Sequence, residues 1–394
     1  MKEAVIVAGA RTAIGDYMGS LQPLKAHELG TLVLKGLIDK AGIDPRLIEE
    51  VIAGHVNQAG APGNSARWVT LKAGCSVETT STTVHQQCPS SMRAADFLSQ
   101  AIMLGRVDVG AAIGMESMSN APYLLMGARR GYRLGDGETV QDSMMLGGLV
   151  CAFEGYHMGV TAENIAEHYN ISREEQDEYA VMSHERACKA IETGVFKEEI
   201  IPAEIKTRKG VQIFDTDEHP QKDCSLETAA KMKPVFKKDG TVTAFNASGL
   251  NDGASAILMM SADKAKELGL KPLARVVSAA TGSVEPRIMG MGVVPAVHKA
   301  LKYAGLDIKD INYWELNEAF AAQVLGCNRE LKIPYDRLNA YGSGIPLGHP
   351  VGMTGARIIM EAVYELKRRG GRYACSSMCA SGGPAGAFIV ENIQ

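Results

Sequence analysis

Residues 33–53 read VLKGLIDKAGIDPRLIEEVIA, and residues 296–316 read AVHKALKYAGLDIKDINYWEL. Each stretch carries apolar residues at helical spacing, then a glycine, then a short apolar run that is typical of a strand. The two glycines, Gly42 and Gly305, are 263 positions apart. The same succession of helix, glycine turn and strand occurs twice, which indicates an internal repeat.

A second pair of segments repeats at nearly the same distance. One helical stretch ends near Gly105 before a strand at Val109, and another ends near Gly371 before a strand at Ala374. These glycines are 266 positions apart. A single resemblance between helix–turn–strand units arises easily by chance, but two at nearly one offset favour a duplicated α/β half. Helices covering a largely parallel sheet are the expected architecture.

The offset is longer than one half requires, so the sequence predicts an inserted segment. Residues 118–249 contain Met- and Gly-rich sequence and a charged stretch, and we expect them to form a loop domain that carries substrate-binding surface. The predicted division is a first half at 1–117 plus 250–270, the loop domain at 118–249, and a second half at 271–394.

The composition excludes several classes of protein. Lys and Arg number 41 and Asp and Glu number 45, so the net charge of −4 leaves no excess of positive charge for a phosphate backbone. No nucleic-acid partner is therefore expected. With 46% hydrophobic and 22% charged residues, the chain is not globally disordered. No apolar run reaches the roughly 18 residues that span a bilayer, so no membrane partner is expected.

The eight cysteines are scattered and form no C-x-x-C pair. This spacing favours neither a disulfide scaffold nor a metal site. The N-terminal sequence MKEAVIVAGARTAIG has neither a secretory apolar region nor an Arg- and Ser-rich transit segment. Together these features predict a cytoplasmic protein with reduced thiols.

Cys88 is the first candidate for chemistry. It lies in VHQQCPSSMR at 84–93, between a strand-like run and a helix that Pro89 suits as a first residue. A thiol at a helix N-terminus lies near the positive end of the helix dipole, which favours the thiolate. The alternative is an inert buried cysteine, which is the commoner fate of a cytosolic cysteine.

His349 is the second candidate. The loop YGSGIPLGHPVGMTG at 341–355 surrounds it with glycines, and Pro350 follows it directly, so its position should be well fixed, as a catalytic base requires. The alternative is a structural histidine. With the offset of 266, Cys88 corresponds to Thr354, five residues after His349. The two loops should therefore meet across the repeat and form a Cys–His pair.

Weaker candidates lie elsewhere. Cys379, in CSSMCASGGP at 375–384, could act as an acid or base beside the Cys–His pair, whereas Cys375 is expected in the core. Asn317 could cap a helix or hold a water that stabilises an oxyanion. His157 lies between glycines in the insertion, where a binding role is expected. Three other histidines are expected on solvated helix faces: His27, His168 and His184.

Long motifs spread over the whole chain resemble those of the thiolase family. They are VAGARTAIG at 7–15, GHVNQAGAPGNSAR at 54–67, GMESMSNAPYLL at 114–125, GYHMGVTAEN at 155–164, SREEQDEYAV at 172–181, GTVTAFNASGLNDGASA at 240–256, NEAFAAQ at 317–323 and GHPVGMTGAR at 348–357. The resemblance implies a duplicated five-layered αβαβα fold with an inserted loop domain. It also implies reversible acyl transfer between coenzyme A and a 3-oxoacyl-CoA.

The resemblance assigns roles to the candidates. Cys88 would carry the acyl group, His349 would take its proton, and Cys379 would exchange the proton of the acetyl-CoA α-carbon. A water held by Asn317 would stabilise the enolate together with His349, and the N–H groups of Cys88 and Ser381 would form a second oxyanion hole. Acyl-CoA would be a substrate, with no permanently bound cofactor and no metal. The residues implied in CoA binding are Ser248, His157, Met158, Phe320, Gln221 and Lys222.

Some positions depart from the family pattern. Four residues stand where the family usually has glycine: Pro89, Ser91, Phe245 and Ser381. Gln221, followed by Lys222, replaces an arginine. We expect these departures to lie along the acyl chain and pantetheine, and hence hypothesise an unusual acyl substrate. The segment 123–149 matches the family's tetramer contacts, so a homotetramer is expected.

Two alternatives to a thiolase remain at this stage. A decarboxylating ketoacyl synthase shares the fold, but it normally pairs its cysteine with two histidines or with His and Asn, so Cys379 favours a thiolase. A thiolase-like subunit that requires a partner protein or acts on an unusual acyl chain is the second alternative. The departures around Cys88 are what favour it.

Overall fold

The computed structural model describes residues 1–135, 137–208 and 210–394. The strands are β1 (Ala4–Arg11), β2 (Gly15–Asp16), β3 (Glu50–Gly54), β4 (Thr80–Val84), β5 (Val109–Ser117), β6 (Tyr123–Leu124), β7 (Gln141–Asp142), β8 (Ala203–Thr207), β9 (Gly210–Phe214), β10 (Asn251–Ser261), β11 (Ala274–Ser283), β12 (Tyr313–Leu316), β13 (Tyr373–Cys379) and β14 (Pro384–Asn392). The α-helices are α1 (Ala26–Ala41), α2 (Ser65–Lys72), α3 (Ser90–Met103), α4 (Met158–His168), α5 (Arg173–Thr193), α6 (Leu226–Ala230), α7 (Ala262–Glu267), α8 (Val293–Ala304), α9 (Ala321–Leu331), α10 (Gly344–Leu347) and α11 (Thr354–Arg369).

The strand order confirms the duplication. The first half runs β1-β10-β5-β3-β4 and the second β11-β14-β13-β12. In each half the first two strand pairings are antiparallel and the pairings beyond them are parallel. The expectation of a largely parallel sheet is therefore wrong, because antiparallel pairings predominate. The glycines of the repeat also match: Gly42 ends α1 with φ 66° and Gly305 ends α8 with φ 67°, which is the left-handed helix end that glycine adopts most easily.

The two sheets and their helices form five layers. One apolar cluster joins α1 and α2 to the outer face of the first sheet, and another joins α8 and α9 to the outer face of the second. A third cluster holds α3 and α11 between the sheets. Antiparallel pairing of β1 with β11, at Val5 with Arg275 and Ile6 with Ala274, continues one sheet into the other.

The N-terminal ends of α3 and α11 meet at the centre of the molecule. Ser91 Oγ accepts a hydrogen bond from Ala356 N at 2.9 Å and donates one to Met353 O at 3.1 Å. A side chain at Gly114 would collide with the carbonyl oxygen of Gly352, so glycine permits the close approach. The prediction that the Cys88 and His349 loops meet is thereby confirmed.

The segment between β5 and β10 leaves the layered core. It contains the β6–β7 and β8–β9 hairpins and the helices α4, α5 and α6. Helices α4 and α5 pack against α9 of the second half, which brings this segment over the edge of the core where the two central helices begin. Across the described residues, no helix is both long and apolar enough to cross a bilayer.

Candidate active site

A cavity of about 530 Å³ opens where the inserted segment covers the starts of the two central helices. Cys88, His349, Cys379 and Ser381 all lie on its wall. The rest of the lining is mostly apolar, with methionines prominent. The structure therefore brings together three predicted catalytic side chains from three separate stretches of sequence in one largely apolar cavity.

Cys88 is held in the turn between β4 and α3. Gln87, directly before it, has φ 55°, a left-handed conformation that is uncommon for a residue with a side chain. Ser90 fixes the turn, because its hydroxyl donates to Gln87 O at 2.5 Å and accepts from Gln86 N at 2.9 Å. The turn places the thiol at the start of α3, as the sequence predicts.

The Cys88 thiol is nevertheless protonated at neutral pH. Burial raises its pKa to about 12, and this outweighs the backbone N–H groups of Cys88 and Ser381, which point at the sulfur and act in the opposite direction. The expectation that the helix N-terminus favours a thiolate is thus wrong, because desolvation of the sulfur is the larger effect. A base must remove the proton before the sulfur can act as a nucleophile.

His349 is present as a neutral imidazole. Burial and the nearby Arg357 guanidinium lower its pKa to about 3. Its backbone N–H donates to Asn251 Oδ1 at 2.9 Å, and its Nδ1 lies 2.6 Å from Thr354 Oγ1. A neutral ring held at both its backbone and its Nδ1 can accept a proton at Nε2, which is what a base for Cys88 must do.

Asn317 lies behind His349. Its backbone N–H donates to Ser377 O at 3.0 Å, and its Nδ2 is 3.5 Å from His349 Nε2. Its buried Oδ1 has no hydrogen-bond partner among the described residues. Asn317 does not cap a helix, since α9 begins only at Ala321. The capping alternative is therefore excluded, and the Asn317 amide faces His349 Nε2.

Cys379 ends β13 and is buried. Burial raises its pKa well above the ordinary value, and an ionised Cys88 would raise it further, so the two sulfurs lie close enough to interact. Cys375, in the same strand, is also fully buried but is not part of the cavity wall. Cys379 therefore lies on the cavity wall and Cys375 in the core.

The residues predicted to bind coenzyme A separate into two groups. Five of them line the cavity: Ser248, His157, Met158, Phe320 and Gln221. Lys222 does not, and its exposed side chain lies beside a neighbouring surface pocket. His157 Nδ1 accepts from Gly159 N at 3.0 Å, and its ring stacks on Phe236 with the ring centres 4.5 Å apart. The predicted binding residues thus form one continuous wall apart from Lys222.

Family models described as thiolase, N-terminal domain and thiolase, C-terminal domain match residues 4–263 and 270–392. The chain belongs to the thiolase family. It is 46% identical over 390 residues to the acetyl-CoA acetyltransferase of Chromobacterium violaceum, with 99% of each chain covered. An acetyl-CoA acetyltransferase structure from Syntrophomonas wolfei superposes with a TM-score of 0.97 at 47% identity, with 100% of both chains covered. The structure of human mitochondrial 3-ketoacyl-CoA thiolase in complex with CoA superposes with a TM-score of 0.95 at 39% identity. The superposition covers 100% of this chain and 98% of the human chain. The chain is accordingly an acyltransferase of the thiolase type.

Of the four residues that stand where thiolases usually have glycine, only Ser381 lines the cavity. Ser381 lies on the wall, and its backbone conformation suits any residue, whereas Gly382 and Gly383 after it have φ of 87° and 106°. Phe245 is buried against His184, with the rings stacked 5.1 Å apart. Pro89 and Ser91 lie outside the cavity wall as well, at the start of α3. Ser381 and Gln221 thus line the cavity, whereas Pro89, Ser91 and Phe245 do not.

Two of the three histidines expected in solvent are buried in this thiolase. His27 and His184 are 8% and 1% exposed, while His168 is exposed as predicted. Burial lowers the pKa of His184 to about 4, and its Nδ1 accepts a hydrogen bond from Gln221 N at 3.2 Å. His184 thus supports the segment that carries Gln221, a role that the polar helix face around it did not suggest.

The sequence motifs did not identify several residues of the cavity wall. The π-helical turn Met145–Leu149 covers the Cys88 side, and its Gly147-Gly148 pair lets it lie against the side chains of Asn57 and Gln87. His219 also lines the cavity, with its Nδ1 bonded to the Asp16 carboxylate. The Gly-Gly pair was the only sequence signal for the turn, whereas His219 stands two residues before Gln221 and could have been named with it.

Proposed function

We propose that the chain transfers acyl groups between coenzyme A and 3-oxoacyl-CoA through an acyl-enzyme on Cys88. The observation that carries the proposal is the meeting of the Cys88 thiol, the neutral His349 imidazole and the Cys379 thiol on one cavity of a thiolase fold. The curated relative named acetyl-CoA acetyltransferase and the human thiolase solved with CoA support this substrate class.

In the cleavage direction, the Cys88 sulfur forms a bond to the 3-oxo carbon while His349 Nε2 takes the thiol proton. The bond between C2 and C3 then breaks, and its electron pair remains on C2 as the enolate of acetyl-CoA. Cys379 donates its proton to C2, so acetyl-CoA leaves and the acyl group stays on Cys88. The N–H groups of Cys88 and Ser381 that point at the sulfur support an oxyanion hole at the attacked carbonyl.

The second half of the reaction regenerates the free enzyme. The thiol of coenzyme A gives its proton to the Cys379 thiolate and attacks the acyl carbon. Cys88 leaves as thiolate and recovers its proton from His349. The protonated His349 Nε2 and a water on Asn317 would stabilise the enolate, which agrees with the 3.5 Å contact and the unpaired Asn317 Oδ1. Because the nucleophile and the leaving group are both thiols, the reaction runs in both directions.

We extend the proposal to binding and assembly. Ser248, with His157, Met158, Phe320 and Gln221, would contact the pantetheine arm from the cavity wall. Lys222 would act from outside the wall, where the CoA phosphates leave the cavity. No permanently bound cofactor is proposed. Residues 118–249 would form the loop domain between halves at 1–117 plus 250–270 and 271–394.

The proposed assembly is a homotetramer. Several large apolar side chains of 123–149 are exposed, including Tyr123 at 68% and Leu134 at 98%, and burying such residues against other copies would stabilise an oligomer. We place the enzyme in the cytoplasm and in fatty acid metabolism.

Mass spectrometry after incubation with acetyl-CoA tests the function. We expect an acetyl group on Cys88 that added coenzyme A removes, together with cleavage of acetoacetyl-CoA by the chain alone. An unmodified Cys88 would contradict the proposal and favour the alternative, a thiolase-like subunit that needs a partner protein or a different acyl chain. Acetylation that coenzyme A does not reverse would contradict the proposed second half of the reaction.

The protonation states predict an unusual pH dependence for alkylation of Cys88 by iodoacetamide. A neutral Cys–His pair with pKa values of about 12 and about 3 stays in one state near neutrality, so the rate should change less than about threefold between pH 6 and 8. In His349→Ala only the thiolate reacts, and the rate should rise about tenfold per pH unit. A wild-type midpoint near pH 6 would instead indicate a thiolate–imidazolium pair.

A further inference from the structure

The imidazole of His349 can carry its proton on either ring nitrogen, and only one of the two forms can accept a proton from Cys88. Nε2 must bear the lone pair, so the proton must reside on Nδ1. The group that faces Nδ1 is the hydroxyl of Thr354, with Oγ1 2.6 Å away and both residues buried. The state of this one hydroxyl therefore decides which nitrogen is basic.

The single proton of the Thr354 hydroxyl has another acceptor. Thr354 is the first residue of α11, and its Oγ1 donates to Pro350 O, one helical turn earlier, at 3.0 Å. With its proton directed there, Oγ1 presents only lone pairs to the imidazole. His349 must then donate through Nδ1–H, which leaves Nε2 unprotonated.

The other side of the ring agrees with this assignment. The atom of Asn317 that faces Nε2 is the amide nitrogen Nδ2, at 3.5 Å. A proton on Nε2 would place two donors against each other, whereas a lone pair on Nε2 accepts weakly from the amide. Burial and the Arg357 charge keep the ring neutral, so one proton is present, and the Thr354 hydroxyl places it on Nδ1.

We infer that Thr354 is a positioning residue for His349: its hydroxyl, anchored on Pro350 O, holds the imidazole in the Nδ1–H form with Nε2 free to deprotonate Cys88. The inference rests on the proposed role of His349 as the base. Thr354 lies outside the cavity wall, so it acts through His349 and not on the substrate. By the sequence repeat it is also the counterpart of Cys88 in the second half of the chain.

Thr354→Val tests the inference, because valine keeps the shape of threonine and removes the hydroxyl. We expect the rate of Cys88 acetylation by acetyl-CoA to fall about 10- to 100-fold, with KM changed less than about twofold. Thr354→Ser, which keeps the hydroxyl, should stay within about threefold of wild type. The alkylation profile of the valine variant should also rise with pH above 7, towards that of His349→Ala.

The readouts separate this inference from the proposed function. If Cys88 of the Thr354→Val protein is acetylated as fast as in Thr354→Ser, and the pH profile of its alkylation is unchanged, the positioning role is wrong. If Cys88 of the His349→Ala protein is acetylated at the wild-type rate, His349 is not the base, and this result does not depend on the Thr354 variants. Thermal unfolding is recorded for each variant, and Thr354→Ala is measured if the valine variant fails to fold. An alanine variant with the wild-type acetylation rate and alkylation profile overturns the inference in the same way.

Discussion

Cys88→Ala should lower kcat by at least about 10⁴-fold and leave no acetyl group on the chain after incubation with acetyl-CoA. The reason is that the proposed reaction passes through a covalent thioester, and no other group can replace a missing nucleophile. The steady-state rate of acetoacetyl-CoA cleavage and the intact mass of the protein measure both effects. Binding of CoA should survive, because the proposed contacts of its arm are with the wall that Ser248 and Phe320 line and not with the sulfur.

Cys188→Ala is the matched control for this experiment. Cys188 is also a free, half-buried cysteine, but it lies on α5, away from the cavity wall. Its replacement should leave both the adduct and the rate unchanged. A Cys88→Ala protein that still becomes acetylated and turns over would show that the acyl group is carried elsewhere, and the proposed mechanism would be wrong.

Cys379→Ala should separate the two halves of the reaction. Turnover should fall about 10²- to 10⁴-fold, since this range is typical of general acid–base catalysis and the exchange of the α-carbon proton would lose its acid and base. Acetylation of Cys88 by acetyl-CoA should remain, because the sulfur of coenzyme A can leave as a thiolate without the proton that Cys379 supplies in this step. Mass spectrometry of the adduct and the steady-state rate, measured on the same preparation, give the two quantities.

Cys375→Ala is the matched control for Cys379→Ala, because both cysteines lie in β13. Cys375 is fully buried in β13 four residues before Cys379, yet it is not part of the cavity wall. Its replacement should lower the melting temperature slightly and preserve turnover. If Cys379→Ala also abolishes acetylation while Cys375→Ala does not, then the Cys379 proton is indispensable for forming the acyl-enzyme, and the expected separation of the two steps is incorrect.

The duplicated architecture could be read from the sequence because it depends on local features that repeat. A helix of defined apolar spacing, a glycine in the left-handed conformation and a short strand recur at Gly42 and Gly305, and each of these is determined by neighbouring residues. The same repeat correctly predicted that the loops carrying Cys88 and His349 meet.

Burial and protonation could not be read in this way. The N-terminus of α3 suggested a thiolate at Cys88, but the surrounding apolar groups, which come from distant parts of the chain, raise its pKa to about 12. His27 and His184 occupy polar helix faces in sequence and are buried by elements that pack against those faces. Phe245 is stacked on His184 and lies outside the cavity wall, which its position in the sequence does not indicate.

By itself, the sequence determined the repeat, the inserted segment and the reactive side chains, because spacing and residue type are properties of the chain alone. Only the tertiary structure decided the electrostatic state of those side chains: a thiol rather than a thiolate at Cys88, a neutral ring at His349, and the hydroxyl of Thr354 against its Nδ1. The physical reason is that desolvation and hydrogen-bond partners depend on residues that are remote in sequence and become neighbours only on folding.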